Sequence, residues 1–473
     1  MNNQINTITP QELAKKREKT ELRINEIKNT PNMQIPSNAV VYYLSPNGND
    51  ANDGKTQRTP WQTIEKLNTM VLEANSYVCF ERGGIWRGKL YSQNNVTYTA
   101  YGAGEKPKLY ASPENACDPK KWIETDAPNI WKYNIINRDI GTLVFDDGKA
   151  HAIKVLLEPK NDVFINKTTG DIFNDYHDIK TDLHFYHDHE NNAIYLYSKQ
   201  NPAERFSSIE FNAFGHIFVS KVPVQNVHID NLCLKYCGSH GIGYINAYGL
   251  HVTNCEIGWI GGSLQGGSTR FGNGVEVWEN CDDYVIDNCY FYQIYDAAVT
   301  HQFVMPQDPQ YKDHKCYMKN IRYSNNVIEN ANYSVEYFIN GIPDGNDSGF
   351  YGVTIENNLM WYAGHGLCRQ RPDRTESAHI KSWTSSNHAK DFVVKNNLMC
   401  LSFNMLMHIC SNSPNCEGGD CMPMLENNTI IGHEGDLFGI LELNAAPQRQ
   451  TYNKNIINYI SKCGENNNIL FLK

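Results

Sequence analysis

No run of this 473-residue sequence approaches the ~20 consecutive apolar residues of a membrane-spanning helix, so no membrane partner is expected. No cluster of Lys and Arg offsets a formal net charge of −10. Phosphate-backbone binding depends on such clusters, so nucleic acid is set aside as a partner. The fourteen cysteines contain no C-x-x-C pair. Cys410, Cys416 and Cys421 come closest to a metal or disulfide site but lack a fourth ligand, and no dense Asp cluster suits calcium. The expectation is therefore no metal and no cofactor, with free thiols in a reducing compartment. Met1 to Pro36 has no apolar segment of the kind that drives secretion, which points to the cytoplasm, or to a secreted protein if the chain is a trimmed mature form. Oligomeric state is left open.

What the sequence has is a repeat. An apolar residue, any residue and then Asn recur in Ile229-Asp230-Asn231, Val252-Thr253-Asn254, Ile286-Asp287-Asn288, Tyr323-Ser324-Asn325, Ile355-Glu356-Asn357, Val394-Lys395-Asn396 and Leu425-Glu426-Asn427. Successive Asn positions differ by 23, 34, 37, 32, 39 and 31 residues. Units of this length built from short β-like runs cannot bury an apolar face alone and must stack. Asn tolerates the left-handed backbone of a tight corner, and stacked Asn side chains hydrogen-bond along an axis. Cys255 and Cys289 each follow a repeat Asn, which assigns them to a column of small buried side chains. An all-β parallel β-helix follows.

Residues 1–38 read as a polar, helix-prone or partly disordered arm, with Thr9-Pro10-Gln11-Glu12 as a helix start. Residues 39–473 read as the solenoid domain. Val40 to Leu44 form a strand and Ser45 to Gly54 a long turn. A cap helix is expected near 59–72, with Thr59 as N-cap, Pro60 at the first helical position, Gln62 completing a capping box, and Ile64, Leu67 and Val71 on its apolar face. The repeat breaks near 122–209, where Leu143 to Gly148, Asp182 to Asp188 and Ala193 to Tyr197 suggest hairpins of a β-rich insertion.

The strand, turn and cap helix after residue 40 resemble the N-terminal cap of right-handed parallel β-helix proteins of the pectate-lyase-like superfamily. Phe185 to Tyr197, Tyr295 to Gln302 and Tyr333 to Tyr337 resemble segments of its glycosidase-like members. That resemblance implies a right-handed coil and carbohydrate chemistry.

Aligned on the repeat, Gly241 to Tyr244, Gly274 to Val277, Ala298 to His301, Ser334 to Tyr337 and Gly366 to Arg369 fall side by side, each with an aliphatic second position. Alternation then turns the third position outward: Gly243, Glu276, Thr300, Glu336 and Cys368. The next outward column holds Trp278, Gln302, Phe338 and Gln370. With strands ~4.8 Å apart, Glu276 and Glu336 stand roughly 9–10 Å apart at the backbone. Inverting glycosidases hold their acid and base ~6.5–9.5 Å apart.

Geometry thus pairs Glu276 with Glu336, whereas the resemblance pairs Asp296 with Glu336. Trp278, Thr300, His301, Gln302 and Phe338, together with His365, Arg369, Arg371 and His379, are the substrate-binding candidates. Asp373 and Trp383 lie close to the last group, and Asp344 and Asp347 sit in a turn that either caps itself or overhangs the groove. Gly364-His365-Gly366 and Asp282-Asp283 are similar to polygalacturonase elements but lie 82 residues apart (365 − 283), without companion motifs, and carry no assignment. The expected function is an inverting glycoside hydrolase acting on oligo- or polysaccharides. The alternatives are a polysaccharide lyase or uronate epimerase, and a non-catalytic glycan-binding solenoid.

Overall fold

The computed structural model describes residues 4–160, 163–167, 169–267, 269–311, 313–343, 345–371, 377–382, 388–411, 423–433, 437–442 and 464–472. The chain is a right-handed parallel β-helix whose coils present three sheet faces. The first face stacks Val224–Asp230, Ile242–Thr253, Val275–Asp287, Tyr317–Ser324, Gly349–Glu356 and Ala389–Lys395, all paired in parallel. The second stacks Cys233–Cys237, Glu256–Ile260, the start of Tyr290–Val304, the start of Val327–Asn340, Leu359–Ala363 and Leu398–Ser402. The third is made by the N-terminal part of Ile242–Thr253, then Val275 to Trp278, Val299 to Val304, Val335 to Asn340 and Ala378–Ser382. One aliphatic and aromatic core runs up the middle, with Ile242, Val275, Val299, Val335 and Ile380 each fully buried.

The repeat Asn makes the corner between the first two faces. Asn231, Asn254, Asn288, Asn325, Asn357, Asn396 and Asn427 all adopt φ between 51° and 57°, and Asn466 adds an eighth corner. The axial ladder, however, is built mainly by the residue that follows. Asn326, Asn358, Asn397, Asn428 and Asn467 are buried, and each donates one Nδ2 bond to a backbone carbonyl of the preceding coil. From Asn326 to Asn428, the same Nδ2 also reaches Oδ1 of the next Asn at 3.0–3.1 Å. The ladder continues into Cys289 and Cys255: the Cys289 N–H donates to Asn326 Oδ1 at 2.9 Å, and the Cys255 N–H to Cys289 Sγ at 3.4 Å. A buried amide column is tolerated because every member is satisfied.

The arm begins as a strand, Gln4–Ile8, paired in parallel with Asn468–Leu472 of the last coil. A helix over Pro10–Lys28 follows, opened by the Thr9/Glu12 capping box. It runs back along the solenoid: Thr20 accepts the Trp361 indole N–H at 3.0 Å, Arg17 pairs with Glu329, and the Thr30 and Pro31 carbonyls accept from Asn231. The arm thus straps the last coil to early ones and covers an open β-edge.

The cap helix is shorter than expected, spanning Ile64–Thr69, with Thr63 and not Thr59 as N-cap. Asp50 explains the shift. Its Oδ1 takes the N–H groups of Gln62 and Thr63, and Trp61 is held as a β-bridge to Leu44, so Pro60 and Trp61 stay extended. Ile64 and Leu67 are buried, but Val71 lies beyond the helix and is 91% exposed.

Within the expected insertion, Trp122–Glu124, Ile130–Asn134, Ile153–Lys154, His184–Asp188 and Ala193–Tyr197 form a separate five-stranded sheet. Ile140–Phe145 pairs with Ile209–Ala213, which joins the solenoid at Cys237. Among the described residues, no helix is long and apolar enough to cross a membrane.

Candidate functional site

Alternation on the third face sends one column into the core and its neighbours outward. The register aligns Gly243, Glu276, Thr300, Glu336 and then Lys381. Cys368 does not extend the column. Gly366–Gln370 is a 3-10 turn that buries Leu367 and Cys368, and Ala378–Ser382 supplies the rung instead. Trp278, Gln302 and Phe338 align as the next outward column.

Gly243, Glu276, Glu336, Trp278, Gln302 and Phe338 line a groove of about 870 Å³, and Asp296 lines it with them. Gln265 and Phe271, from the paired strands Ser263–Gly266 and Thr269–Phe271, also line it, and this pair is anchored by the insertion. The Leu264 N–H donates to Asp139 Oδ2 at 2.6 Å, and Arg270 donates to the Gly262 and Gly141 carbonyls. Trp278 forms the opposite lip, edge-on to Phe303 and Phe338 with centroids 5.8 and 6.5 Å away.

Glu276 is held through one oxygen. Its Oε2 accepts from Asn273 Nδ2 and from Gln302 Nε2 at 3.1 Å, and His240 Nε2 lies 3.2 Å away. The His240 tautomer follows from its other nitrogen, which accepts the Asn273 backbone N–H at 2.9 Å and leaves the proton on Nε2. Burial pushes the His240 imidazole down to about 3, so it is a neutral donor and not a counter-ion. Thr300 donates to Gln302 Oε1 at 3.3 Å, which turns the Gln302 amide nitrogen toward Glu276. Burial raises the Glu276 carboxyl to about 7, against the opposing pull of the Asn273 and Gln302 bonds. With Oε2 taken by two amide donors, a proton on this carboxyl sits on Oε1.

Asp296 stands at the corner entering the Thr300 strand, and its carboxylate pairs with Arg371 at 2.6 Å. Asn273 ties Glu276 to the backbone beside Asp296: its Oδ1 accepts the Ala297 N–H at 2.8 Å while its Nδ2 serves Glu276. Arg371 also lies over the rings of Tyr295 and Tyr333.

Trp278, Gln302, Phe338 and Arg371 therefore stand in the groove, with Thr300 fully buried beneath it as a spacer. The other four candidates do not reach it. His301 follows Thr300, so alternation turns it into the core, where Nδ1 meets the Tyr323 hydroxyl at 2.8 Å and the ring packs on Tyr337 and Phe350. His379 is also fully buried, between Ser334 Oγ and the Leu401 carbonyl. His365 packs against Tyr362 and Phe403, and Arg369 is exposed beside Phe403. Gln370 instead accepts the Lys154 backbone N–H. Asp347 pairs with Lys315 and Tyr317. Asp344, Asp373, Trp383, Cys416 and Cys421 lie outside the described residues.

Sequence reasoning missed His240, Asn273 and Lys381. The signal for the first two was present: each stands two positions before the aliphatic residue of its rung.

One other cluster gathers metal-type ligands. Asp139, His187 and His189 bring donor atoms within 4.8 Å of one another. Lys154, itself buried, sits on the same Asp139 oxygen, and its neighbour His187 Nδ1 accepts the Ile140 N–H. The ammonium occupies the place a cation would take, so these residues do not fit a metal.

No family model matches the sequence, and no curated protein is similar to it. Solved structures do match. XylC, in complex with xylose, is 12% identical with a TM-score of 0.44, over 91% of this chain and 82% of that one. A GH136 lacto-N-biosidase from Eubacterium ramulus is 11% identical with a TM-score of 0.39, over 91% and 68%. A rhamnogalacturonan lyase is 10% identical with a TM-score of 0.39, over 86% of each chain. Hydrolases and a lyase both stand among these likenesses, so what the groove does is argued from its own residues.

Proposed function

We propose that the protein is a glycoside hydrolase that inverts the anomeric centre, with Glu276 as general acid and Glu336 as the base that activates water. The observation that carries this reading is the Glu276 environment: a buried carboxyl with two amide donors on one oxygen, pushed up by burial to about 7 and free to present a proton from the other. Glu336 lies two rungs away on the same outward column, which at ~4.8 Å per rung leaves room for a sugar and a water between them. In the reaction, the Oε1 proton passes to the departing glycosidic oxygen as the C1–O bond breaks. Glu336 takes a proton from the water that bonds to C1 on the opposite side. Asp296 and Arg371, as a fixed ion pair at the groove corner, present an acceptor and donors to sugar hydroxyls. Trp278 and Phe338 offer an aromatic lip to a sugar face.

Lyase or epimerase chemistry needs a cation for the uronate carboxylate. Arg371 is paired with Asp296, Arg369 does not line the groove and His240 is neutral; Lys221 lines it and is the cation a uronate would need, so the uronic-acid arm of the screen decides between the readings. Ten of the described cysteines are free, nine of them buried, which suits a reducing compartment and small imported oligosaccharides as substrates.

The test is a screen on neutral and uronic-acid oligosaccharides that follows reducing ends together with the ultraviolet absorbance of unsaturated uronates. Reducing ends without absorbance, formed as the inverted anomer and lost in Glu276→Gln and Glu336→Gln, are expected. Absorbance would replace the proposal with a lyase. A product of retained configuration would move the second role to Asp296.

A further inference from the structure

The column that carries Glu276 and Glu336 does not stop at the groove. On the next rung, Lys381 occupies the position aligned with Glu336, and His408 the position aligned with Lys381. Parallel partners of this kind stand ~4.8 Å apart at Cα with side chains on one face. Lys381 and His408 are fully or nearly fully buried, and Lys381 Nζ meets His408 Nδ1 at 2.6 Å. With Lys381 protonated, Nδ1 is the acceptor. Lys381 also lies over the Tyr333 ring, on which Arg371 packs as well. Lys381 is not among the groove-lining residues, so it does not meet substrate.

A buried lysine beside a buried glutamate has a sign to contribute. Glu336 is 4% exposed, and desolvation alone would favour its neutral form. The groups facing this part of the column are Lys381 on the following rung with His408 behind it, His379 on the Lys381 strand, Asp296 and Arg371 at the corner, and Glu276 two rungs earlier beyond Thr300. Arg371 has Asp296 as its 2.6 Å partner. Lys381 is the cation on the Glu336 column itself. Two cations then stand with two carboxylates, and Glu276, packed among neutral donors, is left as the carboxyl that keeps its proton.

We propose that Lys381 is a positioning residue that holds Glu336 anionic, so that one column contains a neutral acid and a charged base at the same pH. This inference rests on the acid and base roles given above. It adds that those roles are set by a residue outside the groove.

The test has two independent readouts. In the pH profile of kcat/KM, Lys381→Met should move the acidic limb upward by about 1–3 pH units, the range seen when a neighbouring cation is lost, and leave the alkaline limb in place. Lys381→Arg should restore the limb. A stable, active Lys381→Met enzyme with an unmoved acidic limb would overturn the proposal. Should that variant fail to fold, the wild-type protein decides. With glutamate labelled at its carboxyl carbon and the Glu336 resonance assigned by Glu336→Gln, 13C NMR should show a carboxylate down to about pH 4, below the ordinary glutamate midpoint of about 4.3. Protonation at or above that midpoint would overturn the role of Lys381. The titration needs no substrate. A hydrolase assignment that fails while Glu336 stays ionised, and the reverse outcome, are therefore told apart.

Discussion

Replacing Glu276 by Gln should stabilise the protein, and only above a defined pH. The carboxyl titrates near 7 in the fold against an ordinary value of 4.5 because burial penalises its charge. The folded state therefore binds this proton more tightly than the unfolded chain does. Its contribution to stability is present in full below pH 4.5, is lost as pH rises, and is gone above 7. A shift of 2.5 (7 − 4.5) corresponds to about 3 kcal/mol at 1.36 kcal/mol per unit. Gln carries no charge at any of these pH values. Its carbonyl oxygen can take the place of Oε2 and keep the Asn273 and Gln302 bonds. The variant should thus match wild type near pH 4.5 and exceed it by up to about 3 kcal/mol at pH 8. At an unfolding entropy of ~2.1 cal/mol/K per residue, that difference raises the melting temperature by about 3 °C. Melting temperatures of both proteins across this pH range read it directly. An offset that does not vary with pH, or one largest at low pH, would refute the buried-acid reading.

Three further outcomes are expected. Glu336→Gln should lower kcat by about 10²–10⁴-fold, as measured on the substrate that the screen identifies. Gln302→Leu removes a donor that favours the Glu276 anion, so the alkaline limb of the rate profile should move to higher pH; a limb that moves down contradicts the assigned bond. Asn358→Ala should cost about 2–4 kcal/mol, because it strands the Asn326 N–H and takes a donor from the Tyr323 carbonyl, while Asn397 Oδ1 keeps the backbone N–H of residue 358; thermal unfolding should show it at once.

The coil corners were legible because a left-handed position narrows the choice of residue, and Asn marked each corner. Cys255 and Cys289 were legible for the same reason: position in the repeat, not chemistry, places them in the ladder. The carboxylate column held through Glu336 because alternation is local. It failed at the next rung, where Gly366-Leu367-Cys368 imitates the pattern. The true rung, Ala378–Ser382, comes after a longer excursion, with 45 residues from Val335 to Ile380 against 24 from Val275 to Val299. His301 was misplaced by reading a histidine as chemistry where alternation already turned it inward. The cap helix began late because Asp50, thirteen residues before Thr63, captured the N–H groups that would have opened it at Thr59. His240 and Asn273 owe their roles to bonds that cross coils, and no local pattern states those.

The most direct test of the central claim is the leaving-group dependence of Glu276→Gln. If Glu276 protonates the departing oxygen, the variant should lose about 10²–10⁴-fold on oligosaccharides yet retain near wild-type rates on aryl glycosides whose phenolate leaves without a proton. An equal loss on both substrates would contradict the account.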